Sequence, residues 1–338
     1  MSGRTGERIA VVGGGSWGTA FAILQARRHA DVSLWVREPE VRRLIAETGE
    51  NGTFLPGFRI PAAVRPTTAL AEALADREVV AFAVPSQHLR AVAGQAALLI
   101  APAARVVSLV KGVENDTFLR MTEVLAEALP AHAARVAALS GPTFAREVAE
   151  GKPTGATVAA GDAAVAVSLQ EALSGERFRL YADTDVVGLE IGGALKNVLA
   201  VAAGMADGLG FGHNARALII ARGLAEIMRL GVALGASERT FAGLSGLGDL
   251  VLTCTGDLSR NRTLGLRVGR GEKAADVVAA MRMVAEGYHT ARAAVGLARK
   301  AGVPMPISEE VYRILHEGKD VRTAVSVLFA RALRREKD

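Results

Sequence analysis

The sequence predicts an α/β domain built on a parallel, doubly wound sheet, followed by an all-α domain. Three observations carry that prediction. Short valine-rich runs alternate with helical segments through the first half of the chain. The first of these runs, Ile9–Val12, leads directly into the glycine turn Gly13-Gly14-Gly15-Ser16-Trp17-Gly18. Beyond about Asp183 the strand-like runs stop, and long Ala/Leu/Val segments at helical period take over.

Taken in order, strands are expected at Ile9–Val12, Val32–Val36, Val79–Val84, Val106–Val110 and Val136–Leu139, then around Gly155–Ala160 and Phe178–Tyr181. Helices are expected between them, including Gly18–Arg28, Ser86–Leu99 and Phe118–Leu129. In the second part, helical period covers Ala194–Ala206, Ala215–Leu234, Ala274–Met283, Thr290–Ala301 and Ile307–Glu317. Gly235, Gly271, Gly302 and Gly318 follow such segments as stops. The division is placed at 1–189 for a Rossmann-type dinucleotide-binding domain and 190–338 for a helical substrate-binding domain.

Gly13, Gly15 and Gly18 fall on the Gly-x-Gly-x-x-Gly spacing of a dinucleotide-binding strand–helix turn. Gly13 permits the tight turn, Gly15 lets backbone N–H groups approach a pyrophosphate, and Gly18 allows close helix–strand packing. The helix that follows directs its positive end at the phosphates. In a chain with 37 glycines among 338 residues the spacing alone is weak, and its position between strand and helix gives it meaning.

Lys and Arg number 40 against 35 Asp and Glu, a net charge of +5. The cations are scattered among acids without an aromatic stacking platform, so they suit a small anionic substrate better than a nucleic acid. The segment from Arg331 to Lys337 reads as a solvated helix end. Cys254 is the lone cysteine, which excludes an intrachain disulfide and fits a reducing compartment. No apolar core precedes the first strand, so no secretory signal is expected. The most apolar long stretch, Ala91–Ala104, contains Gln95 and Pro102 and is too short to span a bilayer. Together these predict a cytoplasmic protein with no membrane span.

Four further segments carry chemistry. Val110-Lys111-Gly112 ends a buried strand, at the sheet edge where ligands bind. Ser140-Gly141-Pro142-Thr143-Phe144-Ala145 places Thr143 near a helix start, as an N-cap, an anion contact, or both. In Glu190-Ile191-Gly192-Gly193-Ala194-Leu195-Lys196-Asn197, Lys196 and Asn197 open an otherwise apolar helix. Such a lysine either titrates low because desolvation is costly, or snorkels to water. In the fourth, Asp249 and Thr253 stand four apart and share a helix face, with Ser259, Arg260 and Asn261 following. Arg260 and Asn261 suit a phosphate, though surface capping explains the same spacing. Cys254 reads as a small buried residue, since no His partner is near in sequence.

In their order and spacing these segments resemble the bacterial-type NAD(P)-dependent glycerol-3-phosphate dehydrogenases over nearly the whole chain. The resemblance implies hydride transfer between NADP(H) or NAD(H) and C2 of glycerol phosphate or dihydroxyacetone phosphate. It implies Lys196 as the catalytic acid/base, with Lys111, Asp249 and Thr253 completing the polar site. It assigns substrate contacts to Lys111, Gly141, Thr143, Lys196, Asp249, Ser259, Arg260 and Asn261. Cofactor contacts fall to Ser16, Trp17, Arg37, Lys111, Ala145, Arg260, Val284 and Glu286, beside Gly13, Gly15 and Gly18. No residue is assigned to a metal. Phospholipid synthesis and a homodimer are further implications. Two residues depart from the family pattern: Thr143 stands where serine is common, and Glu38 follows Arg37 where a basic or neutral residue is common. A ketopantoate-type ketoacid reductase is the alternative within oxidoreductases. An NAD(P)-sensing protein without catalysis is the alternative outside them, and it would need neither Lys196 nor Asp249.

Overall fold

The computed structural model describes residues 6–333, 335 and 336. Its first part runs β1 (Ile9–Val12), α1 (Ser16–Gln25), β2 (Val32–Trp35), α2 (Pro39–Thr48), β3 (Val64–Thr67), α3 (Leu70–Leu74), β4 (Val79–Phe82) and α4 (Leu89–Ala96). It continues through β5 (Arg105–Ser108), α5 (Met121–Ala128), β6 (Val136–Ser140), α6 (Ala145–Glu150), β7 (Thr154–Ala160), α7 (Ala163–Leu173) and β8 (Phe178–Asp183). The strands form one sheet in the order β3-β2-β1-β4-β5-β6-β7-β8. Side-chain alternation along each strand feeds two cores. Ile9, Val11, Val79 and Ala81 pack on one face with Phe21 of α1. Ala10, Val12, Val80 and Phe82 pack on the other with Leu89 of α4 and Leu125 of α5. Helices on both faces make the sheet doubly wound, as expected.

The sheet differs from the expectation in two respects. Strand β7 runs antiparallel to β6, pairing Leu139 with Val158, so the sheet is mixed. Strand β3 was not foreseen. It is a four-residue edge strand containing Arg65 and Pro66, and proline without an N–H is tolerated at a sheet edge.

The second part comprises α8 (Val186–Gly208), α9 (Gly212–Ala233), α10 (Asp249–Thr255), α11 (Arg260–Gly269), α12 (Ala274–Ala280), α13 (Glu286–Ala301), α14 (Pro306–Glu317) and α15 (Val321–Phe329). Gly235, Gly271, Gly302 and Gly318 all take positive φ after helices, as their position in the sequence suggested. Helix α8 is the axis of this domain, packed by α9, α10, α11 and α13. It is long and apolar enough to cross a bilayer, but 83 % of its most apolar stretch is buried within the protein. It, rather than 91–104, is the longest apolar segment.

Several expected boundaries move. Helix α8 begins at Val186, so Lys196 lies in mid-helix and does not open it. Position 189 falls in its first turn. The 86–99 segment splits into a 3₁₀ turn, Ser86–His88, and α4. Helix α12 stops at Ala280, freeing 281–283 to reach the sheet domain. Helix α15 ends at Phe329, so 331–333 lie beyond the helix; Arg334 and Lys337, read with them as a helix end, lie outside the described residues, as do residues 1–5.

Two contacts orient α8. Buried Glu190 accepts from Thr122 N at 2.8 Å, Thr122 Oγ1 at 2.6 Å and Arg120 Nη1 at 2.8 Å, which fixes α8 to the start of α5. Burial raises the Glu190 pKa, against the opposing pull of Arg120. At the other end, a Cβ on Gly204 would lie 2.1 Å from the Arg262 carbonyl, and one on Gly265 would lie 2.0 Å from the Val201 carbonyl. Only glycine permits this close crossing of α8 and α11, and it brings Asn261 against Asn197.

Candidate active site

A cleft of about 560 Å³ opens between the carboxyl edge of the sheet and the helical domain. At one end lies the glycine turn. Gly13 has φ +125°, and a Cβ there would meet the Ala83 backbone at 2.8 Å. A Cβ on Gly18 would lie 1.8 Å from the Gly13 carbonyl oxygen, so α1 and β1 can approach only without a side chain. Gly15 is different. Its φ of −71° and ψ of −175° suit any residue, and nothing lies within 4 Å of its Cβ position. Neither backbone nor packing demands glycine there; the space above it is part of the cleft. Helix α1 starts without a side-chain cap, leaving first-turn N–H groups to face that space. The Trp17 indole N–H is buried with no partner among the described residues. An uncapped helix end, an open cradle and an orphaned donor fit a dinucleotide pyrophosphate.

At the other end, Lys196 is 5 % exposed and donates to Asp249 Oδ1 and to Thr253 Oγ1, the latter at 2.9 Å. Thr253 uses its own proton on the Asp249 carbonyl, 2.6 Å away, so its oxygen is left to accept from the amine. Lys111 donates to Asp249 Oδ2 at 2.7 Å, to the Gly141 carbonyl at 2.7 Å and to Thr143 Oγ1 at 3.1 Å. Asp249, 1 % exposed, thus bridges two lysines from beneath the cleft floor. Gly141 adopts φ +148°, where a Cβ would meet Ala156 Cα at 2.8 Å; that backbone turn aims its carbonyl at Lys111.

Burial pushes the Lys196 pKa down to about 7; Asp249 opposes the shift and the Lys111 charge adds to it. The Arg260 charge is not among the causes of this shift. Cys254 lies buried behind this cluster, and desolvation raises its thiol to about 12, which leaves it inert as a nucleophile.

A relay of amides joins the two domains. Asn197 Nδ2 donates to the Lys111 carbonyl at 3.1 Å, Asn261 Nδ2 to Asn197 Oδ1 at 2.8 Å, and Gly287 N to Asn261 Oδ1 at 2.9 Å. Arg260, at the start of α11, faces the cleft and has no ion pair among the described residues. Ser259 caps α11, its hydroxyl accepting from Arg262 N at 3.2 Å. Thr143 lies one residue before the α6 cap, Phe144, so its hydroxyl is free to meet Lys111.

Of the residues singled out from sequence, all line the cleft except Gly18, Gly141 and Asp249, which support it from behind. Residues not foreseen include Ser86, whose N and Oγ donate to Glu286 at 3.0 and 2.6 Å. Met283 is another, with its sulfur 2.9 Å from Ser16 Oγ, and the same hydroxyl donates to the Phe54 carbonyl at 2.6 Å. Arg37 and Glu38, neighbours after β2, form an ion pair, with Arg37 Nη2 2.6 Å from Glu38 Oε1.

A doubly wound sheet with this turn, facing a helical domain with a buried low-pKa lysine, defines a dinucleotide-dependent oxidoreductase. Comparison with known proteins gives the family. Residues 8–166 match the N-terminal profile of NAD-dependent glycerol-3-phosphate dehydrogenase, and 185–326 match its C-terminal profile. An NAD(P)+ glycerol-3-phosphate dehydrogenase of Geobacter sulfurreducens is 52 % identical over 332 residues, covering 98 % of this chain and 99 % of that one. The crystal structure of glycerol-3-phosphate dehydrogenase from Coxiella burnetii superposes with a TM-score of 0.91 at 37 % identity, covering 96 % and 99 % of the two chains. A ketopantoate reductase from Ralstonia eutropha shares the fold alone, at 19 % identity and a TM-score of 0.58 over 92 % and 97 %. The chain belongs to the NAD-dependent glycerol-3-phosphate dehydrogenase family.

Proposed function

We propose that this chain interconverts sn-glycerol 3-phosphate and dihydroxyacetone phosphate, with Lys196 as the proton donor and acceptor and Arg260 as the phosphate anchor. The observation that carries the reading is the buried Lys196 amine, brought to a pKa of about 7 at the cleft and held by Asp249 and Thr253. A group titrating there can give a proton in one direction and take it in the other.

When bound, NAD(P)H supplies the hydride for the substrate's C2. Gly13, Gly15, Ser16 and Trp17 would hold its pyrophosphate, with Gly18 packing α1 against β1 behind them and Arg37 at the adenosine end. Ala145, Val284 and Glu286 would line the remainder of its path. In reduction, the Lys196 ammonium polarises the ketone oxygen and passes it a proton as C2 becomes tetrahedral. In oxidation, the neutral amine removes the hydroxyl proton. Asp249 is a positioning residue: it orients both amines and sets how readily Lys196 gives up its proton. Lys111 keeps a second positive charge beside the reacting oxygen, where negative charge develops. Gly141, Thr143, Ser259 and Asn261 shape the substrate pocket. Arg260 grips the phosphate away from the reacting carbon, so remote binding energy orients the carbonyl.

Residues 1–189 would act as the cofactor unit and 190–338 as the substrate unit. The product would feed phospholipid synthesis in the cytoplasm, and the exposed apolar residues Leu218 and Val232 of α9 offer the helical domain a surface for a homodimer. The test is turnover of dihydroxyacetone phosphate against unphosphorylated dihydroxyacetone, read by nicotinamide absorbance. Strong preference for the phosphate ester is expected; equal use of both would discard the reading.

A further inference from the structure

We propose that Glu38 occupies the arginine that would otherwise read the 2′-phosphate of NADPH, and so holds down the preference for NADPH over NADH. The inference rests on the reading above, in which the cleft takes a dinucleotide with its adenosine end against the residues after β2.

Three features of the structure carry it. First, Nε and Nη2 of Arg37 both donate to Glu38 Oε1, at 2.9 and 2.6 Å. That edge of the guanidinium is the fork that binds a phosphate bidentately. Second, both side chains line the same cleft as the glycine turn, at its solvent rim, with exposures of 68 % and 34 %. A ligand can therefore reach the pair. Third, Glu38 does no structural work with its carboxylate. It is the N-cap residue of α2, yet its side chain makes no cap hydrogen bond, and Pro39 begins the helix. The carboxylate is turned toward Arg37 instead.

The consequence differs between the two cofactors. A 2′-phosphate must displace Glu38 from Arg37, and it carries its own negative charge next to that carboxylate. A 2′-hydroxyl carries no charge, and the carboxylate can accept a hydrogen bond from it without leaving Arg37. Glu38 thus penalises one cofactor and tolerates the other. Because the pair is exposed and screened by water, the effect is moderate: removing the charge shifts the NADPH-to-NADH affinity ratio by roughly 3- to 10-fold.

The test is calorimetric titration of the full chain with NADPH, NADH, 2′,5′-ADP and 5′-AMP, in Glu38→Gln, Arg37→Ala and the double variant, with melting curves to show each is folded. In Glu38→Gln, NADPH and 2′,5′-ADP should bind more tightly while NADH and 5′-AMP bind equally or more weakly. In the double variant the gain should vanish, since Arg37 is the group released. An unchanged ratio in Glu38→Gln, beside a reduced ratio in Arg37→Ala, would overturn the role of Glu38 and leave the site reading standing. An unchanged ratio in Arg37→Ala would overturn the placement of the adenosine end, and this inference with it.

Discussion

Asp249→Asn tests the electrostatic design of the site most searchingly. The substitution keeps shape and removes the one carboxylate that bridges Lys196 and Lys111. Asp249 holds the Lys196 pKa up, both by its charge and by its hydrogen bond, against burial and the Lys111 charge, which push it down. Without the carboxylate the downward influences of burial and the Lys111 charge dominate, opposed only by the smallest influence, that of Cys254. One unit of pKa is about 1.4 kcal/mol, and loss of a direct buried partner is worth at least that. The Lys196 midpoint should therefore fall from about 7 by roughly one unit or more. The assay is kcat against pH in both directions at saturating cofactor. In the unaltered protein, reduction needs the ammonium and should decline as pH rises through about 7; oxidation needs the neutral amine and should rise through the same range. In Asp249→Asn both midpoints should move to lower pH, and reduction at neutral pH should drop roughly tenfold further than oxidation. Midpoints that stay put, or move upward, would refute the assignment of Asp249 as the group that sustains the Lys196 charge.

Two further outcomes are expected. Arg260→Ala should lower kcat/KM for dihydroxyacetone phosphate by about 2–4 kcal/mol, the scale of truncating a charge pair, with little effect on residual turnover of dihydroxyacetone; comparing the two substrates at matched cofactor saturation checks it, and equal losses would remove Arg260 as anchor. Gly15→Val should keep the melting temperature within about 3 °C because its side chain enters open cleft, yet weaken NAD(P)H binding at least about tenfold, whereas Gly18→Ala should lower the melting temperature because its Cβ collides with the Gly13 carbonyl.

The parts of this molecule that sequence reveals are those whose cause is local. Val79, Val80, Ala81 and Phe82 are buried on both sheet faces, so β4 appears as an unbroken apolar run. The i, i+4 spacing of Asp249 and Thr253 puts both on one face of α10, and both meet Lys196. What sequence hides is set by distant partners. Gly192 and Gly193 look like a helix break, which displaced the expected start of α8. They are instead places where the helix passes so close that a Cβ would meet the Ser245 carbonyl at 2.8 Å and Ser140 Oγ at 2.4 Å. Ser86 is unremarkable until the fold brings it to Glu286, 200 positions away. Met283 reads as the tail of α12 until it is found against Ser16. Strand β3 carries too little apolar surface to announce itself, because an edge position does not require it.

The central claim is that Lys196 moves the proton. Its most direct test pairs the rate of dihydroxyacetone phosphate reduction in Lys196→Met with calorimetric NADPH affinity. Methionine fills the buried site but neither polarises the ketone nor gives up a proton. The account predicts a fall in kcat of about 100-fold or more with cofactor affinity nearly unchanged. A variant that retains more than about a tenth of kcat, a barrier change of under about 1.4 kcal/mol, would contradict it.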